Sequence, residues 1–122
     1  KLSGEEHRST LLAANNYAMT LNTLKRRGEV KSLLRKTMPV VRRVLGENDA
    51  TTLTTRSIYA DALFRDAAAT LDDLREAVTT FEDAARIARR VLGGAHPLTT
   101  GIEAEIRDAR AALNAREETG GA

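Results

Sequence analysis

The sequence predicts an all-α chain of five helices, two antiparallel pairs and a C-terminal capping helix, stacked as a repeat. Three observations predict it. The phrase Arg42-Arg43-Val44-Leu45-Gly46 returns as Arg89-Arg90-Val91-Leu92-Gly93, and self-similarity at a fixed period marks a stacked array. Apolar residues recur at spacings of three and four, the period of a helix and not of a strand. The 122 residues include two Pro, no Trp, two Tyr and two Phe. A core of Leu, Val, Ile and Ala suits closely packed helices better than a β-sandwich, whose strands favour aromatic and β-branched residues.

The period can be read from the numbering. Gly4 and Gly46, His7 and Asp49, Thr10-Leu11 and Thr52-Leu53, Tyr17-Ala18 and Tyr59-Ala60, and Leu21 and Leu63 each stand 42 positions apart. Gly46 and Gly93 stand 47 apart, as do Asp49 and His96. The second unit is therefore five residues longer. The extra residues are expected in Arg65-Asp66-Ala67-Ala68-Ala69-Thr70, because insertions in repeat proteins map to loops. The array is read as 1–116, with units 4–46 and 47–93 and a capping helix 97–116. Periodicity is lost from Glu117, so 117–122 reads as a disordered C-terminal tail.

Each helix follows from its spacing. The first carries Leu11, Ala14, Ala18, Leu21 and Leu24 on one face. The second carries Val30, Leu33, Leu34, Thr37, Val41, Val44 and Leu45. Pro39 falls inside it and removes a backbone donor, so the helix kinks or breaks there. The apolar period continues to Val44, which favours a kink. Leu53, Tyr59, Ala60, Leu63 and Phe64 mark the third helix. Leu74, Ala77, Val78, Phe81, Ala85, Ala88, Val91 and Leu92 mark the fourth. Ile102, Ile106, Ala109 and Leu113 mark the fifth.

The helix ends are signalled too. Gly46 and Gly93 follow the last apolar residues, where a left-handed C-cap is wanted. Arg42, Arg43, Arg89 and Arg90 meet the negative helix ends. The Val-Leu pair before each Gly reads as a stacking contact. Thr70 and Asp73 have capping-box spacing, and Pro97 lies where a first-turn proline is tolerated.

Lys and Arg number 19 against 17 Asp and Glu, a net charge of +2. Acids interrupt the basic runs, which disfavours a nucleic-acid partner. There is no Cys, and hence no disulfide, thiolate nucleophile or Cys-ligated zinc. No apolar run approaches the roughly 20 residues of a membrane span. Lys1-Leu2-Ser3-Gly4 looks like the tail of an earlier Val-Leu-Gly phrase, which suggests a C-terminal fragment of a longer array. A cytoplasmic location is expected, with an upstream targeting segment left open.

These residues resemble a known family. Gly-x-x-His/Asp, then Thr-Leu, a small-residue helix and Arg-Arg-Val-Leu-Gly resembles the 42-residue tetratricopeptide repeat of kinesin light chains. It looks most like the kinesin-light-chain-like arrays of algae and some bacteria. Asn15-Asn16-Tyr17-Ala18 is similar to that family's Asn-Asn-Leu-Ala. The resemblance runs from Leu2 to about Arg116. It implies a right-handed superhelix of antiparallel helix pairs and a scaffold that binds proteins. Departures are Lys25 at the usual inter-helix Gly, Val30 and Thr37 at small positions, Ser57-Ile58 for the Asn pair, and Arg107 for Ala. The heptad coiled coil of true kinesin light chains is absent, so no motor role is implied.

Little in the chain points to catalysis. His7 and His96 hold equivalent positions, but Asp49 replaces them in the middle unit. A capping role fits better than a metal site. Asp72-Asp73 and Glu117-Glu118 are adjacent carboxylates, and neighbours on a helix point apart. No phosphate loop, Ser/His/Asp set or zinc motif is present. The chain is read as no enzyme, with no cofactor and no metal.

By resemblance, the first helix of each unit lines a concave groove. That places Leu12, Asn15, Met19 and Asn22 from unit one there. Thr54, Ser57, Asp61, Phe64 and Arg65 follow from unit two. Such a polar surface suits the backbone of an extended peptide, with Met19 and Phe64 adding apolar contact. The expected function is a non-catalytic scaffold that holds a peptide or protein segment, as part of a larger complex. The alternative is a structural subunit or spacer that docks through its convex helices.

Overall fold

The computed structural model describes residues 4–119, with side chains from residue 7. The opening phrase before Gly4 and the tail from Gly120 lie outside the described residues. Five helices follow in order: α1 (Gly4–Thr23), α2 (Arg27–Leu45), α3 (Ala50–Arg65), α4 (Leu71–Leu92) and α5 (Pro97–Glu118). No strand occurs among the described residues. Each helix packs on the next. In addition, α1 packs on α3, and α3 on α5. Helices α2 and α4 do not pack on each other. The first helices thus form one continuous row, and the second helices stand apart behind it.

Two apolar clusters hold the pairs together. Phe81 of α4 is fully buried with Leu53, Ala60, Leu63, Ala77, Ala88, Ile102 and Ala109. Ala18, Leu21, Val30, Leu34, Ile58 and Ala62 form the other cluster, and Tyr59 packs against both. The buried alanines let helix backbones approach closely, so the core manages with few aromatics. Three apolar residues assigned to inner faces are instead exposed. Leu24 lies beyond the end of α1 and is 60% exposed. Val44 and Val91 are 36% and 42% exposed. The Val of each Val-Leu pair therefore points outward, and Leu92 packs against the core.

The repeated Arg-Arg-Val-Leu-Gly ends a helix both times, but not by the expected left-handed helical cap. Gly46 has φ +89° and ψ 161°, and Gly93 has φ +95° and ψ 155°. That extended mirror region is open essentially to glycine alone. The Gly46 N–H still closes on the Arg42 carbonyl at 3.1 Å, and the Gly93 N–H on that of Arg89 at 3.1 Å. The next helices start from side-chain caps. Asp49 Oδ1 accepts from the Thr51 N–H at 2.8 Å, and His96 Nδ1 from the Leu98 N–H at 3.0 Å. His7 differs, because α1 already begins at Gly4 and His7 lies inside its first turns.

The five-residue insertion is shared between loop and helix. The α1–α2 connection spans 24–26, and the α3–α4 connection spans 66–70. Helix α2 has 19 residues and α4 has 22. Part of the insertion therefore becomes an added first turn of α4. A complete capping box fixes that turn: Thr70 Oγ1 accepts from the Asp73 N–H, and Asp73 Oδ2 from the Thr70 N–H. Such a cap contributes about 1 kcal/mol. Helix α2 runs unbroken through Pro39. Lys25, at the family's glycine position, takes a positive φ of 63°. Helix α5 continues past Arg116 to Glu118.

Candidate peptide-binding site

A hollow opens on the α1/α3/α5 row. Its volume is about 390 Å³. Helical spacing aims the lining side chains at it. Thr54, Ser57 and Asp61 project from α3 at intervals of three and four, and Leu98, Gly101, Ile102 and Glu105 do so from α5. Asn22 closes one end from α1, and Ile58 and Phe81 form the floor. The result is an apolar base with a polar rim.

The rim is tied by charge. Asn22 Nδ2 donates to Asp61 Oδ1 at 2.9 Å, and Arg27 Nη1 donates to the same oxygen at 3.3 Å. Arg65 Nε donates to Asp61 Oδ2 at 2.7 Å, and its Nη2 donates to Glu105 Oε1 at 3.1 Å. Glu105 Oε2 is buried and finds no donor. Burial and the adjacent Asp61 carboxylate push the Glu105 acid up to about 7. Once protonated, Glu105 donates to Asp61, which removes the conflict between the two carboxyls. Burial raises Asp61 as well. Hydrogen bonds from Glu105, Arg65 and Asn22 nonetheless hold it below the ordinary aspartate range. Thr54 and Ser57 hydroxyls donate to the Ala50 and Leu53 carbonyls, each at 2.9 Å. Their oxygen lone pairs stay available to an incoming N–H.

The nine groove residues fall into separate places. Asn22, Thr54, Ser57 and Asp61 line the hollow together. Arg65 holds its rim through Asp61 and Glu105. Phe64 packs edge-on against Phe81, with ring centroids 6.0 Å apart, and Arg65 covers it at 4.5 Å. Asn15 is buried between α1 and α3, where its Oδ1 accepts from Thr55 Oγ1 at 2.8 Å. Leu12 and Met19 are exposed on α1 and are not part of the hollow. The contribution of α5 was absent from the sequence-based list. Glycine at position 101, three residues after Leu98 and four before Glu105, was the signal available.

This stack of antiparallel helix pairs, with first helices in one row, defines an all-α helical repeat protein. Residues 10–51 and 67–98 match the family model of the tetratricopeptide repeat. Together they cover more than half of the chain, which belongs to the tetratricopeptide repeat family. Repeats of this family generally mediate protein–protein interaction. Most of α3 lies between the two matched stretches. No curated protein and no solved structure matches the chain. No helix among the described residues is long and apolar enough to cross a membrane.

Proposed function

We propose that this chain is a non-catalytic interaction module whose α1/α3/α5 row holds an extended segment of a partner protein. One apolar side chain of that segment seats in the hollow against Ile58, Phe81, Leu98 and Ile102. The Thr54 and Ser57 hydroxyls and the Asn22–Asp61 rim meet its backbone.

One observation carries this reading. Gly101 stands in the interior of α5 with its face to the hollow, and a Cβ there would meet nothing within 4 Å. An interior glycine weakens a helix by roughly 0.5–1 kcal/mol relative to alanine. Packing within the chain does not require it. Close approach of a bound segment does.

The substitution Gly101→Leu tests this directly. It fills the hollow with a side chain and improves helix propensity. Stability should be equal to or higher than that of the parent, by up to about 1 kcal/mol. Affinity for a peptide selected on the parent protein should fall at least about tenfold. Undiminished affinity would remove the hollow from the binding site. Perturbation confined to α2 and α4 would favour a structural subunit docking through its second helices.

A further inference from the structure

A second surface is built for the opposite charge. The gap between α2 and α4 leaves a groove of about 630 Å³ over α3. Leu34, Met38 and Pro39 give it an apolar wall. Arg35, Arg42, Arg43 and Arg56 line it, against only two acids, Glu47 and Glu76.

The arginines are incompletely satisfied. Arg35 Nε donates to the Tyr59 hydroxyl at 3.2 Å, a partner without charge. Arg43 makes no ion pair among the described residues. The Arg56 side chain is only 8% exposed. Its Nη2 donates to Asp83 Oδ2 at 2.7 Å, and the hydrogen bond from Arg56 holds the Asp83 carboxyl below the ordinary aspartate range. Its Nη1 is buried with no acceptor. Glu47 Oε1 lies 3.7 Å from that nitrogen, within ion-pair range but beyond a hydrogen bond. Glu47 Oε2 accepts from Arg42 Nε at 2.7 Å.

A buried guanidinium with idle donors asks for an anion. Glu47 shows which one. Its carboxylate, on the short connection 46–49, stands between Arg42 and Arg56 and serves the second only loosely. We infer that this groove docks an acidic segment of a partner protein, with one carboxylate taking the place of Glu47 between Arg42 and Arg56. A second carboxylate reaches Arg43 at the rim. The apolar wall receives the methylene stems of the acidic side chains, which a phosphate backbone would leave uncovered. Net charge is also too balanced for a nucleic-acid stripe. This site lies behind the α1/α3/α5 row and does not depend on the hollow there.

The test uses the full chain and a fluorescein-labelled hexaglutamate peptide. Hexalysine, inorganic phosphate and a single-stranded oligonucleotide are the comparison probes. Hexaglutamate should bind and shift the side-chain Nε–H resonances of Arg42 and Arg56. Glu47→Gln removes the internal competitor and should tighten binding about fivefold to tenfold. Arg43→Ala should weaken it about fivefold. Both positions are exposed, so neither variant threatens the fold. Gly101→Leu should leave hexaglutamate affinity unchanged, which separates this site from the hollow. Unchanged affinity in both Glu47→Gln and Arg43→Ala would overturn the inference. So would equal competition by phosphate, which marks a small-anion site, or tighter binding of the oligonucleotide.

Discussion

Replacing Glu105 by Gln should abolish most of the pH dependence of stability between pH 5 and pH 8. Burial raises the Glu105 pKa most, Asp61 raises it further, and Arg65 offsets only part, so the folded value stands at about 7 against 4.5 for the free side chain. The folded protein thus holds this proton more tightly than the unfolded chain does. Its contribution is fully present below about pH 4.5 and is lost as pH rises through about 7. A shift of roughly 2.5 units sets an upper bound of about 3 kcal/mol. Solvent reaches the side chain, which is 29% exposed, and screening lowers the expected loss to about 2 kcal/mol. Asp61 and Asp83 act in a different window: they are held below their ordinary value of 3.8, and weaken the fold only as pH falls through their lowered values. Glutamine supplies a permanent donor to Asp61 and keeps an acceptor for Arg65. Urea unfolding at pH 5 and pH 8 measures the effect. The parent should lose about 2 kcal/mol more than Glu105→Gln between the two. Equal losses would show that Glu105 carries no raised pKa and that the carboxyl pair shares no proton.

Four further substitutions probe the repeat itself. Thr52 and Thr99 hold equivalent positions in α3 and α5, and both hydroxyls are fully buried without a partner. Thr52→Val and Thr99→Val should each stabilise by about 1 kcal/mol in chemical denaturation. A loss of stability in either would mean that the hydroxyl is satisfied in solution. Lys25→Gly should raise the melting temperature, because a left-handed non-glycine residue costs roughly 1–2 kcal/mol and Lys25 has φ +63°. A lower melting temperature would place the strain elsewhere. Gly93→Ala should cost about 1–3 kcal/mol through the backbone alone, since a Cβ there meets nothing within 4 Å. A neutral effect would show that the α4–α5 connection relaxes without glycine.

The sequence carried the punctuation of the fold well. Gly46, Gly93, Thr70 with Asp73, and His96 all announced helix ends, because capping chemistry depends on residues within a few positions of one another. The repeat offset located the insertion, although not that part of it extends α4. Inner faces were less secure at helix ends. Leu24, Val44 and Val91 kept the apolar period but lie where neighbouring helices no longer cover them. His7 shared the cap position of Asp49 and His96, yet α1 begins earlier and leaves it within the helix.

The candidate site was legible by face and not by contact. Spacing placed Thr54, Ser57 and Asp61 on one side of α3, and the structure gathers them with Asn22. Periodicity does not say which polar groups meet across helices. Asn15 therefore read as a surface amide and is buried against Thr55. Nothing in the spacing singled out Arg56. Its side chain is buried in the groove between α2 and α4 with Nη1 lacking a hydrogen bond, which depends on the distance between two helices that do not pack on each other.

The central claim is that the α1/α3/α5 row binds a partner segment. The most direct measurement is amide chemical-shift mapping with a peptide selected from an unbiased library on the parent protein. Shifts are expected at Ser57, Ile58, Gly101 and Ile102, with loss of binding in Gly101→Leu. Shifts confined to α2 and α4, with Gly101→Leu binding as tightly as the parent, would contradict it.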